Sequence, residues 1–227
     1  MKPIIIIPAR KGSKGIPNKN MILLNGKPLI QYTIEAAMEV ISSERIIVST
    51  DSNEILKFSK KFGLINSFIR PAEFSSDYSG MYEVLLHACD KIKSVNFDYI
   101  ILLQPTSPLR TKENILECIE VYKESTNVDI VMSAKIAKEN PYFTLFEENK
   151  GLLVKVKDSN FVRRQDCPIT YSLNGAIYII NKKSLLKHNS FNFPRKKKYI
   201  MNSSESIDID TPDDLKYCEY ILKNINE

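Results

Sequence analysis

The sequence predicts a doubly wound α/β fold, and three observations carry that prediction. Short Ile- and Val-rich runs recur along the first 135 residues. Longer patterns with one apolar face separate them, as helices between buried strands would. The 227 residues are 43% hydrophobic and 26% charged, the balance of a chain able to bury a sizeable core. Strands and helices alternating at this spacing give a parallel sheet, because each helix returns the chain to the edge it started from.

Ile4 to Ile7 reads as the first buried strand, ended by Pro8. Pro28 to Ile41 reads as a helix: Pro28 suits a first turn, and Leu29, Ile30, Ile34, Ala37 and Met38 share one face. Arg45 to Ser49, Tyr99 to Leu103 and Asp129 to Met132 read as further strands. Glu54 to Phe62, Tyr82 to Ile92 and Glu113 to Glu124 repeat the helical pattern between them. The rhythm then changes, because Leu152 to Val156 and Ala176 to Ile180 read as strands with no long helix between. Residues 137–194 are therefore expected as an inserted β-rich arm on a core of 1–136 plus 195–227. The chain returns through Tyr199, Ile200 and Met201 and closes with a helix from Pro212 to Ile225. Arg195 to Lys198 reads as a solvated loop.

Composition excludes several functions. The 32 basic and 27 acidic residues leave a charge of +5, which suits an anionic ligand but is too small and dispersed to argue for nucleic acid by itself. No stretch approaches the ~20 apolar residues of a membrane span, and the run ending at Ile7 is too short for a secretory leader. Four scattered cysteines and two histidines make no zinc set and suit a reducing cytoplasm. His87 and His188 have no partner motif and read as packed or exposed.

Three segments carry chemistry. Residues 8–20, PARKGSKGIPNKN, leave the carboxyl end of the first strand, where open α/β sheets bind ligands. Gly12 and Gly15 free the backbone to turn toward an anion, and Arg10, Lys11, Lys14 and Lys19 supply positive charge, so polyphosphate binding is expected. The spacing is neither a P-loop nor GxGxxG. Second, SIDIDT at residues 206–211 reads as a strand with Asp208 and Asp210 on one face, a pair suited to Mg²⁺, while Thr211 or Asp210 caps the closing helix. Third, Gln104, Thr106 and Ser107 in a loop stiffened by two prolines suit a neutral ring or hydroxyls, or else simply a turn that leaves Arg110 on the surface.

Together with RPAEFSSD at residues 70–77, RRQD at 163–166 and NGAIYI at 174–179, these segments run in order along nearly the whole chain. In this they resemble the bacterial CMP-sialic acid synthetases, the acylneuraminate cytidylyltransferases. The resemblance implies a Rossmann-like, mostly parallel sheet with a small dimerisation arm, and a homodimer. It implies coupling of CTP to the 2-hydroxyl of a nine-carbon nonulosonic acid for cell-surface glycans, with release of pyrophosphate and with Mg²⁺, which Mn²⁺ can replace. It further implies that Ala9, Arg10, Ser13, Lys19 and Asn20 hold the nucleotide and that Arg70, Ser79 and Gln104 frame cytidine and sugar. Asp208 and Asp210 would hold the metal, and Arg10, Lys19, Arg164 and Asp208 would act on the reacting groups. Thr106, Asn174, Tyr178 and Phe191 or Phe193 would line the sugar pocket, with Arg163 or Arg164 for the acceptor carboxylate, in cis or from a partner subunit.

Where N-acetylneuraminate-specific relatives often carry a second arginine, this chain has Ser172, and Tyr78 to Met81 replaces their Ser/Thr-rich run. Legionaminate is therefore expected as an acceptor alongside sialic acid. The Asn174–Gly175 pair also reads as a type I′ hairpin turn. The phosphatase domain that follows this module in some relatives is not expected after the closing helix. A Kdo cytidylyltransferase, another sugar nucleotidyltransferase and a non-catalytic nucleotide- or RNA-binding protein are the competing readings, the last opposed by the paired carboxylates.

Overall fold

The computed structural model describes residues 1–13, 15–76 and 78–224. Lys14, Asp77 and the expected helix end at Ile225 lie outside them. In chain order the elements are β1 (Pro3–Pro8), β2 (Leu23–Leu24), β3 (Lys27–Pro28), α1 (Leu29–Met38), β4 (Ile46–Thr50), α2 (Asn53–Lys60), β5 (Phe68–Ile69) and α3 (Met81–Lys91). They continue with β6 (Tyr99–Leu103), α4 (Lys112–Lys123), β7 (Ile130–Ile136), β8 (Phe146–Asn149), β9 (Leu152–Lys155), β10 (Tyr171–Asn181), α5 (Lys182–Lys187), β11 (Lys196–Ile200) and α6 (Pro212–Asn224).

Seven strands form one sheet in the order β11-β7-β10-β6-β1-β4-β5. All its pairings are parallel except those of β10, which runs antiparallel to both β6 and β7. The doubly wound expectation holds, and β1 sits where the winding changes direction.

Alternation along β1 builds two cores at once. Ile5 and Ile7 pack on the face covered by α1, α2 and α4, with Ile34, Ile55 and Ile115. Ile4 and Ile6 pack on the opposite face with Leu85 and Ala88 of α3 and Leu185 of α5. All four isoleucines are fully buried, each contributing ~1.5–3 kcal/mol of transfer free energy. A third, smaller cluster joins Ile16, Leu24, Leu29, Leu109, Ile209 and Cys218, so the loop after β1 is pinned to the segment before α6.

The expected arm at 137–194 divides. No helix crosses between β7 and β10, so the chain re-enters the sheet from the end it left and runs antiparallel. Residues 171–181 thus belong to the central sheet, and the part outside it is 137–170, built on the β8–β9 hairpin. Arg195 to Lys198 is not a free loop: Lys196 opens β11, an edge strand whose exposed lysines guard it against pairing with another chain. Arg195 itself is ion-paired to the fully buried Asp129 at 2.5 Å.

Candidate active site

The carboxyl ends of β1 and β6 flank the switch point, and three adjoining cavities open there with Gln104 in the wall of each. The first, of about 210 Å³, is bounded by Arg10, Arg70, Phe74, Ser79 and Gln104. The second, of about 310 Å³, is lined by Arg10, Ser13, Lys19, Asn20, Thr106, Asp208 and Asp210. The third, of about 550 Å³, takes in Lys135, Ser172, Asn174, Tyr178, Asp208 and Tyr217. Asp208 is shared by the second and third, so the carboxylate stands where their contents would meet.

The loop after β1 is held from both sides. The Asn20 amide donates to the Arg10 carbonyl at 2.8 Å, and the Lys11 amide donates to Asp51 at 2.6 Å. Gly15 lies against residue 210 so closely that a β-carbon would sit 2.1 Å from the Asp210 carbonyl oxygen. Glycine is thus required for close approach here rather than for a left-handed turn. Lys19 donates to the Ile209 carbonyl and to the Asp210 carboxylate, both at 2.8 Å. It therefore ties the cationic loop to the acidic segment as well as facing the cavity. Ala9 lines none of the three cavities: its side chain is fully buried and its amide donates to the Ser49 carbonyl at 2.9 Å.

Residues 206–210 form no strand and pair with none, contrary to the strand expected there. The alternation survives because Ile209 anchors in the third cluster while Asp208 and Asp210 face outward. Thr211 caps α6: Asp214 accepts from the Thr211 amide at 2.7 Å and from the Asp210 amide at 3.1 Å, and Thr211 accepts from the Asp214 amide at 3.3 Å. Partial enclosure pushes the Asp208 carboxyl above the usual range; the Thr106 hydroxyl and Lys19 oppose this, and the Asp210 and Asp214 charges add to it.

Among the described residues no group of three or more His, Cys, Asp or Glu side chains gathers as a metal cage. Two carboxylates, Asp208 and Asp210, line one cavity together with the cations of the loop. That donor set fits Mg²⁺, which takes one or two carboxylates and completes its shell with phosphate oxygens and water.

Arg70 is buried and its guanidinium donates to Ser75 at 3.1 Å. Burial lowers its pKa, Arg10 adds to the effect and Asp51 opposes it. Ser79 donates to the Glu73 carbonyl at 2.9 Å and closes the loop over the first cavity. Phe74, in that wall, stacks on His87 at 4.9 Å.

On the third cavity, Tyr178 is in place, its phenol pKa raised by burial and then by Asp208. Asn174 lines the cavity but its amide is fully engaged: it accepts from Ser133 at 2.6 Å and donates to Ser206 at 2.9 Å. Asn174–Gly175 is not a hairpin turn but an irregularity within β10, with Gly175 at φ 73°. Phe193 is fully buried in the core beside Ile4 and Ile6, so it cannot line a sugar pocket. Phe191 packs on Tyr178 at 5.9 Å and on Phe193 at 5.5 Å, behind the cavity rather than in its wall.

Arg163 and Arg164 lie on the arm. Arg163 forms a two-pronged pair with Asp166, both bonds at 2.9 Å, and Arg164 donates to the Lys138 carbonyl. Neither lines the three cavities, so within one chain the fold does not bring them to the cleft.

One residue sits where the turn reading does not put it, and another is absent from the sequence reading altogether. Arg110 is almost wholly buried, donating to the carbonyls of Gln104 at 3.1 Å and Ala176 at 3.0 Å and to the Thr33 hydroxyl at 2.7 Å. No acidic partner signals it in the sequence. Lys135 lines the third cavity, and its signal is legible in the sequence: the one charged residue in a mostly apolar strand.

Cations, a shared amide and paired carboxylates at the switch point of such a sheet define an α/β nucleotide-binding protein. The cytidylyltransferase family model matches residues 4–226, and the chain belongs to that family, a family of nucleotidyltransferases. Over 223 residues it is 40% identical to an N-acylneuraminate cytidylyltransferase of Streptococcus agalactiae, covering 94% of this chain and 52% of that one. Over 229 residues it is 37% identical to a CMP-N,N'-diacetyllegionaminic acid synthase of Legionella pneumophila, covering 98% and 97%. The chain thus spans about half of the first relative and nearly all of the second. A solved CMP:2-keto-3-deoxy-manno-octonic acid synthetase complexed with CTP shares the fold, with TM-score 0.73 and 18% identity over 99% of this chain and 100% of that one.

Proposed function

We propose that the protein couples CTP to the 2-hydroxyl of a nine-carbon nonulosonic acid, legionaminate or N-acetylneuraminate, giving the CMP-sugar and pyrophosphate. The carrying observation is the junction at Asp208 between a cation-lined cavity and a larger one walled by Tyr178, Ser172 and Lys135. Nucleotide phosphates fit the first and a polar acid the second. The named relatives act on such acids, which supports the reading.

The acceptor oxygen attacks the α-phosphorus, the bond to the β-phosphate oxygen breaks, and pyrophosphate leaves. Arg10 and Lys19 face the charge that builds on the phosphoryl and leaving oxygens. Gln104, common to all three cavities, orients base and acceptor, and holding the two substrates in line supplies much of the remaining acceleration. The hydroxyl proton departs toward Asp208. Asp208 and Asp210 would hold Mg²⁺, which neutralises phosphate charge when bound; Mn²⁺, equally suited to oxygen donors, would replace it.

The protein would act as a homodimer in the cytoplasm. Leu152, Leu153 and Val162 on the arm are 72%, 74% and 86% exposed, an apolar surface suited to a second copy. No helix among the described residues is long and apolar enough to cross a membrane. The test is pyrophosphate release from CTP and Mg²⁺ with N-acetylneuraminic, legionaminic, pseudaminic and Kdo acids. Release with a nine-carbon acid well above Kdo is expected; no release with any acid overturns the reading.

A further inference from the structure

Lys135 follows Ser133 by two residues on β7, so both side chains leave one face of the strand. It stands directly across from Ser172 of β10, and both line the third cavity. Lys135 is half-buried and has no hydrogen-bond or ion-pair partner among the described residues. Among the described residues it is also the sole cation lining that cavity, where the acidic companions are Asp208 and Asp214. An anionic acceptor entering there meets a repulsive field unless a cation faces it. Arg163 and Arg164 do not supply that cation within the chain, being held by Asp166 and the Lys138 carbonyl. An ammonium carries three donors on a flexible stem, and a half-enclosed one without a protein partner is poised for a carboxylate.

We propose that Lys135 binds the carboxylate of the acceptor, with the Ser172 hydroxyl beside it, and so selects an acid over a neutral sugar. This rests on the acid-coupling reading above, which left the carboxylate anchor to the arm arginines.

The experiment measures pyrophosphate release with legionaminate, N-acetylneuraminate and the carboxamide of each, in wild type, Lys135→Met and Lys135→Arg. Lys135→Met is expected to raise the acceptor KM about ten- to a hundredfold, the worth of one charge-assisted hydrogen bond, with the CTP KM within about twofold of wild type. Lys135→Arg restores most of the loss. The carboxamides lose affinity in wild type but no further in Lys135→Met. An unchanged acceptor KM, an equal rise for acid and carboxamide, or a CTP KM moving in step overturns the assignment while leaving the acid-coupling reading intact. A folded wild type silent with every acid overturns both.

Discussion

Gly15 and Asp210 touch backbone to side-chain position: the space a β-carbon would need at Gly15 is filled by the Asp210 carbonyl oxygen, 2.1 Å from where it would sit. Gly15→Ala must therefore push the cationic loop from the acidic segment by about an ångström, a displacement able to cost ~100-fold in turnover. Gly12, whose added β-carbon meets nothing within 4 Å, is the matched control and Gly12→Ala should stay near wild type. Steady-state pyrophosphate release on the two variants separates them.

Asp208 shows function opposing stability. Its carboxyl is pushed up, chiefly by enclosure, so its ionised form is disfavoured in the folded chain and contributes no stability at neutral pH. Asp208→Asn should remove nearly all transfer while melting no lower than wild type. Calorimetry beside the release assay checks both halves.

Among the described residues no carboxylate pairs with the buried Arg110, and burial pulls its pKa down from the usual guanidinium value. Arg110→Met removes three hydrogen bonds, to the carbonyls of Gln104 and Ala176 and to the Thr33 hydroxyl, a loss of about 2–4 kcal/mol in urea unfolding.

His87 supports Phe74 in its neutral form. Burial lowers its pKa, Lys91 and Arg70 add to this, and Asp90 and Glu73 oppose it. The unfolded chain binds the proton first, so the stack is secure above the ordinary value of 6.5 and weakens as pH falls below it. The KM for CTP should rise below pH ~6.5 in wild type, and His87→Phe should flatten that limb.

The arm offers a test of assembly. Lys at Leu152 and Leu153 places charge on residues already exposed in one chain, so folding should survive while sedimentation shifts to the monomer. A variant sedimenting as wild type does would remove the arm hairpin from any interface.

Much of this was legible in the sequence because it depends on short-range pattern. The all-isoleucine run of β1 and the helices after it fix the parallel layers, and the loop at 8–20 follows from its position after the first strand. What escaped depends on where distant segments return. Nothing local in Asn174–Gly175 distinguishes a hairpin turn from the irregularity it becomes when β10 inserts between β6 and β7. Phe193 was drawn into the sugar pocket by the resemblance, although the sheet face carrying Ile4 and Ile6 claims it. Arg110 could be placed only by seeing three segments converge on one guanidinium.

The reversed course of β10 separates two inheritances. The residues lining the first two cavities come from before residue 111 and after 205, whereas Lys135, Ser172 and Tyr178 of the third come from β7 and the one strand that runs against the sheet. A lineage changing its acceptor can revise that antiparallel pair in place, one side chain at a time, and leave its phosphate chemistry as it was.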